Sequence, residues 1–202
     1  MTCAQSPFRT RAAYASACTT PAGMPVGRRT PRGRRRWYPV WAPGREQATC
    51  DRLKAILPAE LLADAFVLRR EQWRKCRGVW EKRVVPLWKG YLFVSTPDVV
   101  GLDKAMAKLS FSVQVARGEG HYAPLDAVAQ AWYERVCDVS HVIRSSTGVI
   151  VGGELDIQEG PLVGQEGRVA KIDRHKSLCW VAVGDADNGF HERAPLVVPS
   201  KS

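Results

Sequence analysis

The spacing of apolar residues changes several times along the chain, and each change predicts an element. From Trp37 to Ala42 the run WYPVWA is short, aromatic and uninterrupted. That predicts a buried strand, provided Pro39 lies where no ladder bond has to be donated. Pro43-Gly44 ends it. Ala48, Leu53, Ile56 and Leu57 then recur near the helical period, predicting a helix over 44–57 that stops at Pro58. Residues 66–94 carry three strand-like runs, FVLRREQW, VWEKRVV and GYLFVS, with a turn at Lys75-Cys76-Arg77-Gly78. Gly78 supplies the positive φ that such a turn wants. A second helix is predicted over 98–108 from Val99, Leu102, Met106 and Leu109, and FSVQVA (111–116) alternates like a strand. A third helix is predicted over 124–137, with Leu125, Val128, Ala129, Trp132 and Val136 on its apolar face.

After Cys137 the character changes. Residues 138–152 (DVSHVIRSSTGVIVG) hold a Ser/Thr/Gly patch of the kind that links domains. In the last 50 residues, ELDI, GRVAKI, LCWVAV and PLVVP are short strand-like runs separated by EGPLVG, DRHK and DADNG. Short strands at this spacing predict a small barrel. The first 36 residues show no period at all; they are rich in Pro, Gly, Thr, Ser and Ala and end in TPRGRRR, so a disordered basic tail is expected. The expected organisation is a tail (1–36), an α+β domain built on a small antiparallel sheet (37–137), a linker (138–152) and a β-barrel (153–202).

Composition narrows the function. No apolar window is long enough for a membrane span, and the tail lacks the apolar core of a secretory signal, so a cytoplasmic protein is expected. Six cysteines, at 3, 18, 50, 76, 137 and 179, include no CxxC pair. Cys137 and His141 have one ligand-like spacing with no second pair to complete it. Neither a metal, a cofactor nor a disulfide framework is expected. No Ser/His/Asp set or carboxylate pair suggests itself, and the chain is expected not to be an enzyme.

The net charge of +10 points to a polyanion, but it is unevenly held: eight arginines and no acid make the tail +8. Between Phe66 and Val94 lie eight basic residues (Arg69, Arg70, Arg74, Lys75, Arg77, Lys82, Arg83, Lys89) against Glu71 and Glu81. Trp73, Trp80, Trp88 and Tyr91 are interleaved among them. Cations bind phosphates regardless of sequence, and aromatic faces either stack on bases or fill a groove on a protein partner. The same residues also suit a core with a solvated face. An exposed apolar patch at Trp88 or Tyr91 is the favoured expectation. The region 153–202 has six basic and eight acidic residues, so any RNA contact there must come from the local cluster at 171–176.

One stretch carries a family resemblance. GPLVGQEGRVAKID (160–173) resembles the KOW motif of SH3-like barrels. The region from Trp37 to Cys137 resembles the N-terminal domain of the NusG family in its WY opening, the helix after Pro43-Gly44 and PLWKGYLFV. One departure is Lys89, where the family usually has proline before Gly90-Tyr91. The run on to Ser177, with its IDRHK turn, and the preceding TGVIVGGELDI are most similar to the LoaP-type antiterminators. The resemblance implies a NusG-type α/β sandwich followed by a KOW barrel, acting as a monomeric transcription antitermination or elongation factor. It implies that Trp88, Tyr91, Trp80 and Phe93 dock on the clamp helices of RNA polymerase. It implies further that Lys171, Arg174, His175 and Lys176, with Arg74, Lys75 and Arg77, contact nucleic acid. The partner there would be a nascent RNA hairpin, with non-template DNA a further candidate. The alternatives are a general NusG-like pausing or termination factor and a KOW ribosome-associated RNA-binding protein.

Overall fold

The computed structural model describes residues 35–199 apart from 112, 119 and 185–188. The expected tail therefore lies outside the described residues except for Arg35 and Arg36. The fold is α+β, with three helices among the described residues and mostly antiparallel sheets. Its contacts fall into two compact units, each assembled from two separate stretches. None of the described helices is long and apolar enough to cross a membrane.

The first unit takes the chain to Phe66 and resumes at Gly90–Leu125. Strand β1 (Arg36–Trp41) lies inside a four-stranded sheet of order β2-β5-β1-β6, with β2 Asp64–Phe66, β5 Tyr91–Thr96 and β6 Gln114–Val115. It pairs antiparallel with β5, Val40 opposite Leu92 and Tyr38 opposite Val94. Pro39 sits in this interior strand, which the general rule disfavours. Its carbonyl accepts from the Ala116 amide at 2.8 Å, on the β6 side. A residue's N and carbonyl point to the same side of a strand, so the missing donor faces β6, whose ladder reaches only Val40 and Trp41. The β5 ladder is spared.

All six residues of β5 are buried, which is why GYLFVS shows no alternation. Helices α1 (Glu46–Ile56) and α2 (Val99–Met106) contribute Leu53, Leu102 and Met106 to this core. The amide of Gly101 donates to Asp98 Oδ1 at 3.0 Å, an N-cap worth about 1 kcal/mol. The expected strand 111–116 is reduced to the two residues of β6. Two further two-residue strands, β7 (Arg117–Gly118) and β8 (His121–Tyr122), pair with each other.

The second unit comprises Val67–Lys89 and the chain from Asp126. Strands β3 (Arg69–Cys76) and β4 (Val79–Pro86) form the expected hairpin. Its turn is tighter than expected: Arg77 (φ +49°) and Gly78 (φ +88°) are both left-handed, the geometry that matches the twist of a two-residue hairpin. Helix α3 (Ala127–Val136) begins one residue after Asp126, whose carboxylate accepts from the amides of Val128 and Ala129. Its buried face is Ala129, Trp132, Tyr133 and Val136. Val128, expected on that face, is exposed, because the helical register brings Tyr133 inward instead.

The stretch 138–152, expected as a linker, is strand for much of its length. Strand β9 (Val142–Ile143) pairs parallel with β3, and β10 (Ser146–Val151) belongs to a five-stranded sheet of order β11-β10-β14-β13-β12. Its other members are β11 (Glu154–Glu159), β12 (Val169–Asp173), β13 (Leu178–Val183) and β14 (Phe190–Val197). The glycine that suggested a linker has a packing role. A Cβ on Gly148 would lie 2.6 Å from the Asp156 carbonyl oxygen, so only glycine lets β10 and β11 approach there. The contact division also runs through the expected 37–137 domain, grouping the β3–β4 hairpin and α3 with the C-terminal strands.

Candidate functional site

Three of the four residues expected on a partner surface are buried: Trp88, Tyr91 and Phe93. The expected exposed patch at Trp88 or Tyr91 is thus corrected, and of the four only Trp80, 53% exposed, faces solvent. Trp88 Nε1 donates to Glu192 Oε2 at 2.7 Å, and its ring meets Tyr133 and Phe190 edge-on at 6.2 Å. The Tyr133 hydroxyl donates to the same carboxylate oxygen, and the Arg193 amide donates to the other. Glu192 is buried, and Arg70 close by is buried too. Burial pulls the Arg70 guanidinium below its usual pKa, helped by Arg193 and opposed by Glu192. This is an internal polar hub. Alternation in the sequence could not reveal it, because the carboxylate lies 104 residues beyond Trp88.

In the first unit the accessible aromatic ring is one that the sequence did not single out. Trp41 is 46% exposed, stands opposite Tyr91 in the β1–β5 register, and meets it edge-on at 4.7 Å. The ring lies over Gly90, where a Cβ would come within 2.6 Å of it. Gly90 is also left-handed (φ +86°), so glycine is required twice over. The departure at Lys89 leaves β5 regular, paired without interruption from Tyr91 to Thr96. The signal for Trp41 was the WYPVWA run itself, whose last aromatic falls at the strand's end.

The basic residues divide by their partners. Opposed residues of a hairpin share a face, so Glu71–Val84, Trp73–Lys82 and Lys75–Trp80 lie on one side. Glu71 is buried and receives the Ser145 amide at 2.8 Å, Arg144 at 3.3 Å and Lys82 at 3.3 Å. Burial pushes its carboxyl up, but these hydrogen bonds outweigh that and hold it below the usual glutamate range. Lys82 also stands 5.2 Å from the Trp73 ring, and Arg83 is bound to Glu81 at 2.8 Å. Arg74, Lys75 and Arg77 are exposed and have no ion pair among the described residues.

The other expected nucleic-acid cluster occupies the β12–β13 turn. Lys171 is on β12 opposite Trp180, its ammonium 5.2 Å from that ring. Arg174, His175 and Lys176 are exposed in the turn. Asp173 accepts the Lys176 amide at 3.1 Å and its ammonium lies at 3.4 Å, so the turn neutralises one of its own cations. Upstream, the glycine-rich stretch is seated on β10. Gly160 (φ +98°) approaches Ser146 so closely that a Cβ would sit 2.6 Å from its Cα. The Leu162 amide donates to Ser146 Oγ at 3.1 Å, with the Leu162 side chain fully buried.

Among the described residues no cluster of His, Cys, Asp and Glu is arranged to hold a metal ion. The Cys137 thiol is pushed up to about 12 by burial, with Asp138 and Glu192 adding, and burial takes Cys179 to about 12 as well. Both are held as thiols. No protein-family model matches the chain, and no curated protein matches it significantly.

Proposed function

We propose that the chain is a transcription elongation or antitermination factor of the NusG kind, its C-terminal sheet an SH3-like barrel carrying a KOW motif. The observation that carries this reading is the seating of Gly160–Asp173. Gly160 presses the loop against β10 at Ser146, and the chain then enters β12. The two edge strands support closure, since Glu154 and Leu155 of β11, with Gly153 just before them, and residues 169–172 of β12 line one groove. In this reading the polymerase-facing aromatic of the first unit is Trp41 over Gly90, with Tyr91 supporting it from within. Lys171, Arg174 and His175 would contact nascent RNA. Action would be by binding alone, in the cytoplasm and as a monomer, through a higher affinity for the elongating state of polymerase.

Transcription with purified bacterial RNA polymerase through an intrinsic terminator tests it. Read-through should rise when the chain is added, and Trp41→Ala should abolish the rise. Lowered read-through would make the chain a pausing or termination factor. Unchanged read-through, with no co-migration of chain and polymerase, would overturn the reading. A second reading, an RNA-binding protein that works without polymerase, is favoured by the burial of Trp88, Tyr91 and Phe93, and that last outcome would select it.

A further inference from the structure

The β3–β4 hairpin is two different surfaces joined end to end. At its base the acid is answered: Glu71 takes Lys82 and Arg144, while Arg70 lies buried close to Glu192 with its Nη1 unpartnered. Toward the tip the answers stop. From Arg74 to Arg83 there are five basic residues and one acid, Glu81, and that acid is held by Arg83. Arg74, Lys75 and Arg77 project around the turn with no carboxylate among the described residues in an ion pair with them.

Amid these cations stand Val79, 65% exposed, and Trp80, 53% exposed. A strand end that served only solubility would carry polar side chains there. Trp80 lies opposite Lys75 and shares its face with Lys82 and Trp73, the Lys82 ammonium turning toward Glu71 and the Trp73 ring. Arg77 adds a second oddity. It occupies a left-handed turn position (φ +49°) that glycine or asparagine would fill with less strain, and so places a long cation at the outermost point of the hairpin. An exposed indole opposite Lys75, with Arg74 and Arg77 at the same turn and none of the three cations in an ion pair among the described residues, matches the chemistry of an unstacked base and its flanking phosphates.

We infer that the tip of the β3–β4 hairpin is a binding site for single-stranded nucleic acid, with Trp80 stacking on a base and Arg74, Lys75 and Arg77 holding the adjoining phosphates. The inference is independent of the polymerase reading and of the 171–176 turn. A single strand fits where a duplex does not, because a stacked, paired base offers no face to the indole and leaves only the phosphates to be bound. Recognition would be tolerant of sequence, since every base has a π-face. Arg74 and Lys75 point to opposite sides of the hairpin, so the strand would wrap the tip rather than lie along one face.

Fluorescence anisotropy on the full chain, without polymerase, tests this with labelled twelve-nucleotide oligo-U and oligo-dT and a matched duplex. Trp80→Ala should weaken single-strand binding by about 5- to 100-fold, while Trp80→Phe restores most of it. Duplex binding should be nearly unmoved by either. Replacing Arg74, Lys75 and Arg77 with Gln should flatten the dependence of log K on log salt by roughly two units, at about 0.7 per phosphate contact. Thermal melting shows that each variant is folded, and the Phe and Gln variants keep the test open where the Ala variant is not. Unchanged single-strand affinity in Trp80→Ala, or an equal loss on the duplex, would overturn the assignment. So would binding of an acidic polypeptide, but of neither oligonucleotide, through the same residues. The preference between oligo-U and oligo-dT identifies RNA or DNA as the source of the strand. Since no polymerase is present, failure here and failure of read-through remain separate results.

Discussion

The base and the tip of one hairpin have the same composition and opposite roles. Arg70, Glu71 and Trp73 at the base, and Lys75, Arg77 and Trp80 at the tip, are both mixtures of charge and indole. At the base, Trp88 and Tyr133 share the buried Glu192 carboxylate, Arg70 is buried close to it, and Lys82 is held by Glu71. At the tip the Trp80 ring is half exposed, and Arg74, Lys75 and Arg77 have no ion pair among the described residues. A patch becomes available to a ligand through the lack of an internal partner, so the number of positive charges is a poor guide. The β12–β13 turn lies between the two extremes, exposed like the tip yet partly answered by Asp173.

The sharpest way to break this comparison is to remove the central acceptor. Glu192→Ala removes the acceptor shared by the buried Trp88 N–H and Tyr133 hydroxyl and takes away the carboxylate near Arg70. Stability should fall by about 3 kcal/mol or more, read from the denaturant midpoint. Trp80→Ala at the tip should stay within about 0.5 kcal/mol of the parent, because an exposed ring leaves no cavity. Equal losses would mean that base and tip are one packed unit.

Acid comes next in size. The Glu71 carboxyl is held below its usual range in the folded chain, as is Asp138 by Val142, Ser140 and Arg144 against its own burial. A carboxyl made more acidic by folding lends stability that is complete above the ordinary carboxylate range and is lost as the pH falls through the depressed native value. Melting temperature should therefore fall progressively below that range, and Glu71→Gln should flatten the fall. At neutral pH the same substitution should cost about 1 kcal/mol, since Arg144 and Lys82 are half exposed and regain water.

The smallest expected effect sharpens the contrast between the two basic turns. Arg174→Gln with Lys176→Gln should change the salt dependence of single-strand binding by less than about one unit, as Lys176 already spends its charge on Asp173. A change as large as that of the hairpin triple variant would move the principal contact to the β12–β13 turn.

Much of this was legible along the chain. The hairpin turn at Gly78, the start and stop of the helices and the strands of the C-terminal sheet depend on neighbours a few residues away, and local chemistry announces them. Where the expectation failed, a distant partner decided. Residues 138–152 have a linker's composition, but Ser146 and Gly148 are small because the Gly160 loop and β11 pack against them. Val128 yielded to Tyr133, whose hydroxyl donates to the buried Glu192 carboxylate 59 residues along the chain.

Local patterning settles where the chain turns, the three helices and most strands outside 138–152, and the concentration of basic and aromatic residues between Phe66 and Val94. These follow from backbone preferences and short-range periodicity. Which of those aromatics is core and which is surface, and which cations remain unspent, was decided by the tertiary structure alone. Burial and charge compensation depend on groups brought from far along the chain, as Glu192 is brought to Trp88, and no local pattern encodes their arrival.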